Sequence, residues 1–427
     1  MSELELFGEE LVDFIEKTDL QKIPEFFYDT LLNYLGATYL GASHPAITVV
    51  INTLLEDHQG TYQPFNRKEN VSLADVALID CFSSAVYAYD DIHFETTTHP
   101  CGIVISAILA FARKEQLSIN ETLNALYIGM ETECRLATVM FDKKAESKSG
   151  WYTSGIVGGL AVATALSYLY KFDRKKIKSA LALASNYASG IRGSHGSMAG
   201  SFIPAIACKN GFIATMLVKN GMTCSFASLV GENGLIKQIA AKPALQKARK
   251  GQLSLNTSCK PYPYGFISFS AIALLLKIDI DYRIIDKIIV EVSSRVKNLG
   301  SNFSPQNMYD GLVSLPYIIG HILVDRKNGY LPLNSNFIIT DDEQEIINKI
   351  AIKENSKLSD DEIYISINDK KYYLKDAPGS VNHPMTHDEV INKFKTITDI
   401  KNKEEFIEKL YHQDITDIYQ FIIEYFL

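Results

Sequence analysis

One short stretch of the chain concentrates acidic, imidazole and hydroxyl side chains. Residues 89–102 read YDDIHFETTTHPCG and contain three carboxylates, two imidazoles and three consecutive threonines, between two apolar runs. Burial and mutual proximity shift the pKa values of titratable groups, so a polar stretch between two buried helices suits a catalytic pocket. The alternative is a solvated loop between helices that stops at Pro100.

Composition limits the class of protein. A length of 427 residues predicts two domains, and a hydrophobic share of 47% is ordinary for a soluble globular chain. The net charge of -8, without a basic run, argues against nucleic acid as a partner. Six scattered cysteines without a CxxC pair indicate reduced thiols.

The same features predict a cytoplasmic protein. The first residues, MSELELFGEELVDF, are acidic and amphipathic, which is not the pattern of a signal peptide. The longest apolar run, residues 155–170, is shorter than the roughly 20 residues that a membrane span needs. We therefore expect neither a membrane nor a nucleic-acid partner.

The periodicity of apolar residues changes along the chain. Up to about residue 255 they recur at helical spacing and no convincing strand occurs. The glycine- and serine-rich residues 189–201 are expected to interrupt the helices. After residue 258 a strand is predicted within 284–296, and a hairpin within 361–375. The last segments are again helical, so a helical body, an α+β module and a returning helical segment follow one another.

Several motifs together resemble the MmgE/PrpD family, which includes 2-methylcitrate dehydratase, cis-aconitate decarboxylase and iminodisuccinate epimerase. They occur in the family's order and span nearly the whole chain: YDDIHFETTTHPCG, GMETECR, GWYTSGIVGG, the CKNG pattern within 207–214, GENG, KPYPYG, SLPY and NHPMTHDEVINKF. The resemblance implies a mainly α protein that works without a cofactor as a homodimer. It also implies a large all-helical domain, 1–257 completed by helices in 399–427, and a smaller α+β lid domain, 258–398.

The resemblance carries over to individual positions only in part. Asp91 and His99 fall on the family's DD and HP positions, and Lys260 falls on the lysine of its K-x-x-P segment. Three positions depart from the pattern. Tyr152 stands where a histidine is usual, and Gly200 stands where many members have a lysine. After the lid proline, where the family often supplies a polar residue or histidine, the chain has a Tyr-Gly pair, residues 264–265.

The chemistry that the resemblance implies begins at a carbon beside a carboxylate. There a base removes a proton, or an acid supplies one, while cations stabilise the enolate-like charge. His99 is the candidate acid or base, because an imidazole titrates near neutrality. Asp91 would orient it or act itself, Tyr152 would donate a proton, and Lys260 and Arg192 would hold carboxylates.

Further residues are predicted to bind the substrate, a small carboxylate. These are Asp90, His93, Arg192, His195, Tyr262 and Tyr264. Each has a structural alternative: the aspartates as helix caps, the histidines as satisfied core residues, Lys260 as a surface residue and the tyrosines as core.

Two questions stay open at this stage. DDIHFE superficially resembles the aspartate-rich magnesium motif of terpene synthases, but a second acidic motif is missing, so we predict no metal. The favoured function is a lyase or isomerase that dehydrates, decarboxylates or epimerises its substrate. The alternative is a catalytically degenerate member that binds a metabolite or a partner protein.

Overall fold

The structure is a computed structural model that describes residues 2–57, 59–142, 145 and 150–426, and it is mainly helical. Twelve of its described helices precede residue 250: α1 (Glu3–Lys17), α2 (Glu25–Gly41), α3 (Pro45–Leu55), α4 (Leu73–Ala85), α5 (Pro100–Ala112), α6 (Ile119–Phe141), α7 (Thr153–Leu169), α8 (Arg174–Ser185), α9 (Met198–Lys219), α10 (Ala227–Val230), α11 (Leu235–Ile239) and α12 (Leu245–Ala248). The later helices are α13 (Phe269–Leu275), α14 (Ser294–Gly300), α15 (Met308–Gly311), α16 (Leu315–Val324), α17 (Asp341–Asn348), α18 (His387–Ile397), α19 (Lys403–His412) and α20 (Ile418–Phe426).

Six short strands form two sheets. They are β1 (Asp91–His93), β2 (Thr257–Cys259), β3 (Ile288–Val292), β4 (Ile350–Glu354), β5 (Ile363–Ile367) and β6 (Lys370–Leu374). Strands β1 and β2 pair with each other, and the other four follow the order β4-β3-β5-β6. The mainly helical fold with a smaller α+β part is therefore as predicted.

Helix α7 lies at the centre of the helical body. It packs against α5, α6, α8 and α9, and its residues from Thr153 to Ser167 are all buried. Small residues allow the close approach: a Cβ at Gly211 of α9 would lie 2.3 Å from the carbonyl oxygen of Gly159. Side chains at those positions would force the two helices apart, at a cost typical of an overpacked core.

Two details of the helical part differ from the sequence prediction. Strand β1 lies in the polar stretch between two helices, where no strand was expected, because three residues are too few to show a strand periodicity and their partner β2 is distant in sequence. The glycine- and serine-rich segment 189–201 holds a single 3₁₀ turn, Arg192–Ser194, but α9 already begins at Met198. Helix α9 is apolar and long enough to cross a membrane. Half of its most apolar 18-residue stretch is buried in the fold, as in core helices.

The α+β part follows the predicted elements closely. Strand β3 lies inside the predicted segment 284–296, and β5 and β6 form the predicted antiparallel hairpin. Asn368, at the hairpin turn, has a positive φ of 50°, a conformation that asparagine tolerates better than most residues. Helix α13 packs against β5 and β6, and the sheet thereby acquires one covered face.

The chain returns to the helical body near its end. Helix α18 packs extensively against α2, so the chain rejoins the helical body at residues 387–397. The contact favours placing α18 with the helical body rather than with the lid, which was predicted to extend to residue 398. The domain limits themselves stay a prediction.

Candidate active site

A cavity of about 220 Å³ opens between the helical body and the α+β part. Its polar side chains come mainly from the body and include Asp90, Thr97, His99, Tyr152, Arg192, His195 and Lys260. The facing wall is contributed by the region of α14 to α16 and by the segment before α13, with Phe266, Ile267, Leu299, Tyr309, Leu312 and Val313. Groups from segments far apart in sequence thus meet in one small volume.

The β1–β2 pairing brings the side chains of Asp90 and Lys260 together. Asp91 of β1 is opposite Cys259 of β2, and the backbone N–H of Lys260 donates to the carbonyl of Asp90 at 3.0 Å. In this register the ammonium of Lys260 lies 2.5 Å from Asp90 Oδ1. Both side chains are almost fully buried, with about 4% and 6% of their surfaces exposed. A cross-strand pair therefore places a buried cation against a buried carboxylate.

His99 completes a cluster around the same carboxylate. Its Nδ1 lies 2.8 Å from Asp90 Oδ2 and 2.7 Å from the carbonyl oxygen of Asp91. Both neighbours can only accept a hydrogen bond, so Nδ1 must carry a proton. In the neutral ring the lone pair is then on Nε2. The backbone of His99 is fixed separately, because its N–H donates to Ser154 Oγ at 2.9 Å.

Asp90 is held in its charged form. Burial by itself would raise the pKa of this carboxyl, but the charges of Lys260 and His99 and their hydrogen bonds hold it well below its usual range. A permanent negative charge beside Nδ1 orients the imidazole. The same arrangement of carboxylate and imidazole serves acid–base catalysis in unrelated folds.

Asp91 has a different position from the one predicted. Its carboxylate accepts the backbone N–H groups of Cys101 at 3.0 Å and Gly102 at 3.4 Å, at the start of helix α5. Burial, together with the charge of Asp90, raises the pKa of Asp91 to about 6. Successive side chains of an extended strand point in opposite directions, so only one of the two aspartates can reach His99 with its carboxylate. The orienting position predicted for Asp91 is occupied by Asp90, and Asp91 caps a helix.

Tyr152 reaches the cavity through pairing of its backbone with a glycine-rich loop. Its N–H donates to the carbonyl of Gly190 at 3.0 Å, and Gly190 has a φ of +125°, which a residue with a side chain rarely adopts. Burial, followed by the charge of Asp90, raises the pKa of Tyr152. The hydroxyl therefore stays protonated at neutral pH and can donate a hydrogen bond or a proton.

His195 and Arg192 enter the cavity from the same loop. The ring of His195 lies edge-on to Tyr152 with centroids 5.2 Å apart, and burial lowers its pKa to about 4, so it is neutral at pH 7. Arg192 donates through Nη2 to Thr97 Oγ1 at 3.0 Å. Within the part of the chain that the structure describes, no carboxylate lies at ion-pair distance from Arg192. Its charge is thus available to an anionic ligand.

Three predicted binding residues do not line the cavity. His93 is fully buried, its Nδ1 lies 2.7 Å from Thr96 Oγ1, and burial lowers its pKa to about 4. The ring of Tyr262 packs against Phe269 and Tyr330. The hydroxyl of Tyr264 donates to the carbonyl of Asn328 at 2.8 Å. These side chains shape the surroundings of the site from the core, where Nε2 of His93 has no hydrogen-bond partner among the described residues.

Sequence reasoning missed a second buried lysine beneath the site. Lys393 of α18 donates to Asn33 Oδ1 at 2.6 Å and to the carbonyls of Tyr89 and Lys260 at 2.8 Å each. Its ammonium also lies 3.7 Å from the centroid of the Tyr89 ring, and burial lowers its pKa to about 7. The residue was recognisable in sequence, because it falls on the apolar face that Val390 and Phe394 define in the helix.

Metal-ligand geometry occurs elsewhere among the described residues, at Glu25, Asp29 and His387. These groups belong to the contact between α2 and α18 and not to the cavity lining. The metal-free site stays a prediction.

The first prediction concerns Lys393. Replacing it by methionine keeps most of its apolar stem but leaves two buried carbonyls without a donor, each at a cost of about 1–3 kcal/mol. We expect Lys393→Met to lower the free energy of unfolding by at least ~2 kcal/mol, measured from the urea midpoint. Lys395→Met, on the same helix but half-buried, should change it by less than about 0.5 kcal/mol. Equal stability of the two variants would contradict the proposed contacts.

The second prediction concerns the pH dependence that Asp91 contributes. Its pKa is raised in the folded state, so the stability it contributes is present below about pH 4 and is lost as the pH rises through about 6. The free energy of unfolding of the wild type minus that of Asp91→Asn should therefore fall between pH 4 and 7, by on the order of 1–3 kcal/mol. Urea titrations at several pH values measure this difference. The exposed Asp414→Asn is the control, and a constant difference for Asp91→Asn would refute the assignment.

Comparison with known proteins agrees with the architecture around the cavity. The MmgE/PrpD N-terminal domain matches residues 9–248, and the MmgE/PrpD C-terminal domain matches residues 262–413. No curated protein matches the chain significantly. The segment between the two matched regions contains β2 and Lys260, so the cavity lies where the two family domains meet. The two matches together cover most of the chain, and the protein belongs to the MmgE/PrpD family.

Proposed function

We propose that the protein is a cofactor-independent lyase or isomerase that acts by proton transfer at the α-carbon of a small carboxylate. The family is one of dehydratases and related lyases, which supports an enzyme of this general kind. The homodimer and the cytoplasmic setting that the resemblance implies are part of the same proposal.

The observation that carries the proposal is the state of the His99 ring. Two acceptors, Asp90 Oδ2 and the carbonyl of Asp91, hold the proton on Nδ1, so Nε2 keeps a lone pair. His99 lines the cavity, and Asp90 stays anionic to stabilise the imidazolium that forms when Nε2 accepts a proton. These are the properties of a general base with its orienting carboxylate.

Two other groups have complementary roles. Arg192 would bind the carboxylate beside the reacting carbon and stabilise the charge that passes to its oxygen when the proton leaves. The hydroxyl of Tyr152, kept protonated by burial and by Asp90, would donate a proton to a leaving group or to the opposite face of the carbanion. Lys260, predicted to clamp a carboxylate, would instead hold Asp90 in place.

The substituents of the substrate decide the outcome. With a hydroxyl on the next carbon, its C–O bond breaks after deprotonation and it departs as water with a proton from Tyr152. When the proton returns to the other face, the product is the epimer. When a second carboxylate on the same carbon departs as carbon dioxide, the electron pair of the broken C–C bond stays on the α-carbon. A proton then adds to that carbon where the carboxylate was. All three outcomes use one carbanion-stabilising site.

The proposal is tested by hydrogen–deuterium exchange. Small carboxylic acids that raise the melting temperature are incubated with the protein in D2O, and loss of the α-hydrogen is followed by proton NMR. We expect exchange in the wild type, and a rate lower by about 10²–10⁴-fold in His99→Gln and in Asp90→Asn. His412→Gln alters an exposed histidine outside the cavity lining and should leave the exchange rate unchanged.

The two hypotheses formed from the sequence predict different results. A ligand that binds without any α-hydrogen exchange would overturn the proposal and favour the alternative, a metabolite-binding member of the family. Exchange that survives in His99→Gln would overturn the assignment of the base.

A further inference from the structure

The two walls of the cavity differ in chemistry. The wall from the helical body holds the charged groups, whereas the opposite wall is formed by Phe266, Ile267, Leu299, Tyr309, Leu312 and Val313. Tyr309 is the one of these six side chains that can hydrogen-bond, and its hydroxyl is buried without a partner among the described residues. The volume of about 220 Å³ is below the roughly 300–1,000 Å³ of pockets for drug-sized molecules, so a small ligand fits. A ligand that satisfies both walls must have a polar end and an apolar end.

The charges of the polar wall allow one ligand carboxylate. The ammonium of Lys260 is balanced by the carboxylate of Asp90, and His99 binds the same carboxylate through Nδ1. His195 is neutral at pH 7, because burial lowers its pKa to about 4. Gly200 and Gly265 line the cavity without side chains. In the described part of the chain, Arg192 is then the one cavity-lining cation without a carboxylate partner.

A further cation whose charge acts on Arg192, Arg295, is paired elsewhere. Arg295 pairs with Asp360 at 2.9 Å, and its guanidinium lies 5.1 Å from the centroid of the Phe266 ring. Arg295 is not among the residues that line the cavity. A second or third carboxylate of a ligand would therefore have no cationic partner among the described lining residues, which is unfavourable for a charged group removed from water.

We infer that the site selects an amphipathic monocarboxylate, with its carboxylate on Arg192 and an alkyl or similarly apolar group against Ile267, Leu312 and Val313. The inference rests on the proposed function insofar as this ligand is also the substrate. It specifies the substrate class within that function and leaves dehydration and epimerisation as the outcomes, because decarboxylation as described needs a second carboxylate. The apolar group is the part that discriminates, since each buried methylene strengthens binding about fourfold.

The test measures binding and needs no turnover. Melting-temperature shifts at graded concentrations give dissociation constants for butanoate, hexanoate and octanoate, for hexanamide, and for propane-1,2,3-tricarboxylate. We expect affinity to rise about fourfold for each methylene until the cavity is full. Hexanamide should bind at least ~10-fold more weakly than hexanoate, because a charge-assisted hydrogen bond is lost. The tricarboxylate should bind most weakly.

Two variants separate the contributions of the walls. Arg192→Met should abolish the preference for hexanoate over hexanamide and keep the gain for each methylene. Val313→Thr keeps the shape of the side chain and adds a hydroxyl to the apolar wall, so it should reduce the gain for each methylene and leave the affinity for acetate unchanged. Circular dichroism checks that both variants are folded.

The outcomes separate this inference from the proposed function. Tighter binding of the tricarboxylate than of hexanoate, no gain with chain length, or no binding of any carboxylate overturns the inference. If the tricarboxylate binds more tightly than hexanoate and also exchanges its α-hydrogens, the inference is overturned and the proposed function stands. Alkyl carboxylates that bind as expected support the inference whether or not they exchange, whereas a 3-hydroxyalkanoate that binds equally well but neither exchanges its α-hydrogens nor loses water would contradict the proposed function.

Discussion

The site depends on one buried ion pair, between Asp90 and Lys260. Removing either charge would leave the other in a low-dielectric interior, where an unpaired charge is costly. The two residues are distant in sequence and are held together by the short β1–β2 pairing. Because Asp90 also holds the proton on Nδ1 of His99, this ion pair determines which nitrogen of the imidazole can act as a base.

Elements outside the cavity keep the ion pair in position. Lys393 donates hydrogen bonds to the carbonyls of Tyr89 and Lys260, which lie on opposite sides of the β1–β2 pairing. Helix α18 is thereby connected to both segments. Asn33 of α2 donates to the carbonyl of Asp90 at 3.3 Å and accepts a hydrogen bond from Lys393. The return of the chain to the helical body thus has a local consequence, since it supports the backbone from which the acid–base groups project.

Much of this arrangement was predictable from sequence. Helical spacing identified the body, and β-branched alternation identified β3 and the β5–β6 hairpin, because these are local patterns. The concentration of titratable groups in 89–102 indicated the site, and six of the predicted site residues line the cavity: Asp90, His99, Tyr152, Arg192, His195 and Lys260. The division of labour between Asp90 and Asp91 was not predictable, because it depends on the direction of each side chain in a three-residue strand whose partner is remote. Tyr262 and Tyr264 entered the prediction because they belong to the KPYPYG motif, and the structure places them in the core.

The tautomer of His99 is the most direct measure of this account. Proteins labelled with ¹⁵N in histidine, with His99→Gln used for assignment, report which ring nitrogen carries the proton at a pH where the ring is neutral. We predict a proton on Nδ1 and a lone pair on Nε2. The preference for this tautomer should be weaker in Asp90→Asn. A wild-type His99 with its proton on Nε2 would contradict the account, because no lone pair would then face the cavity.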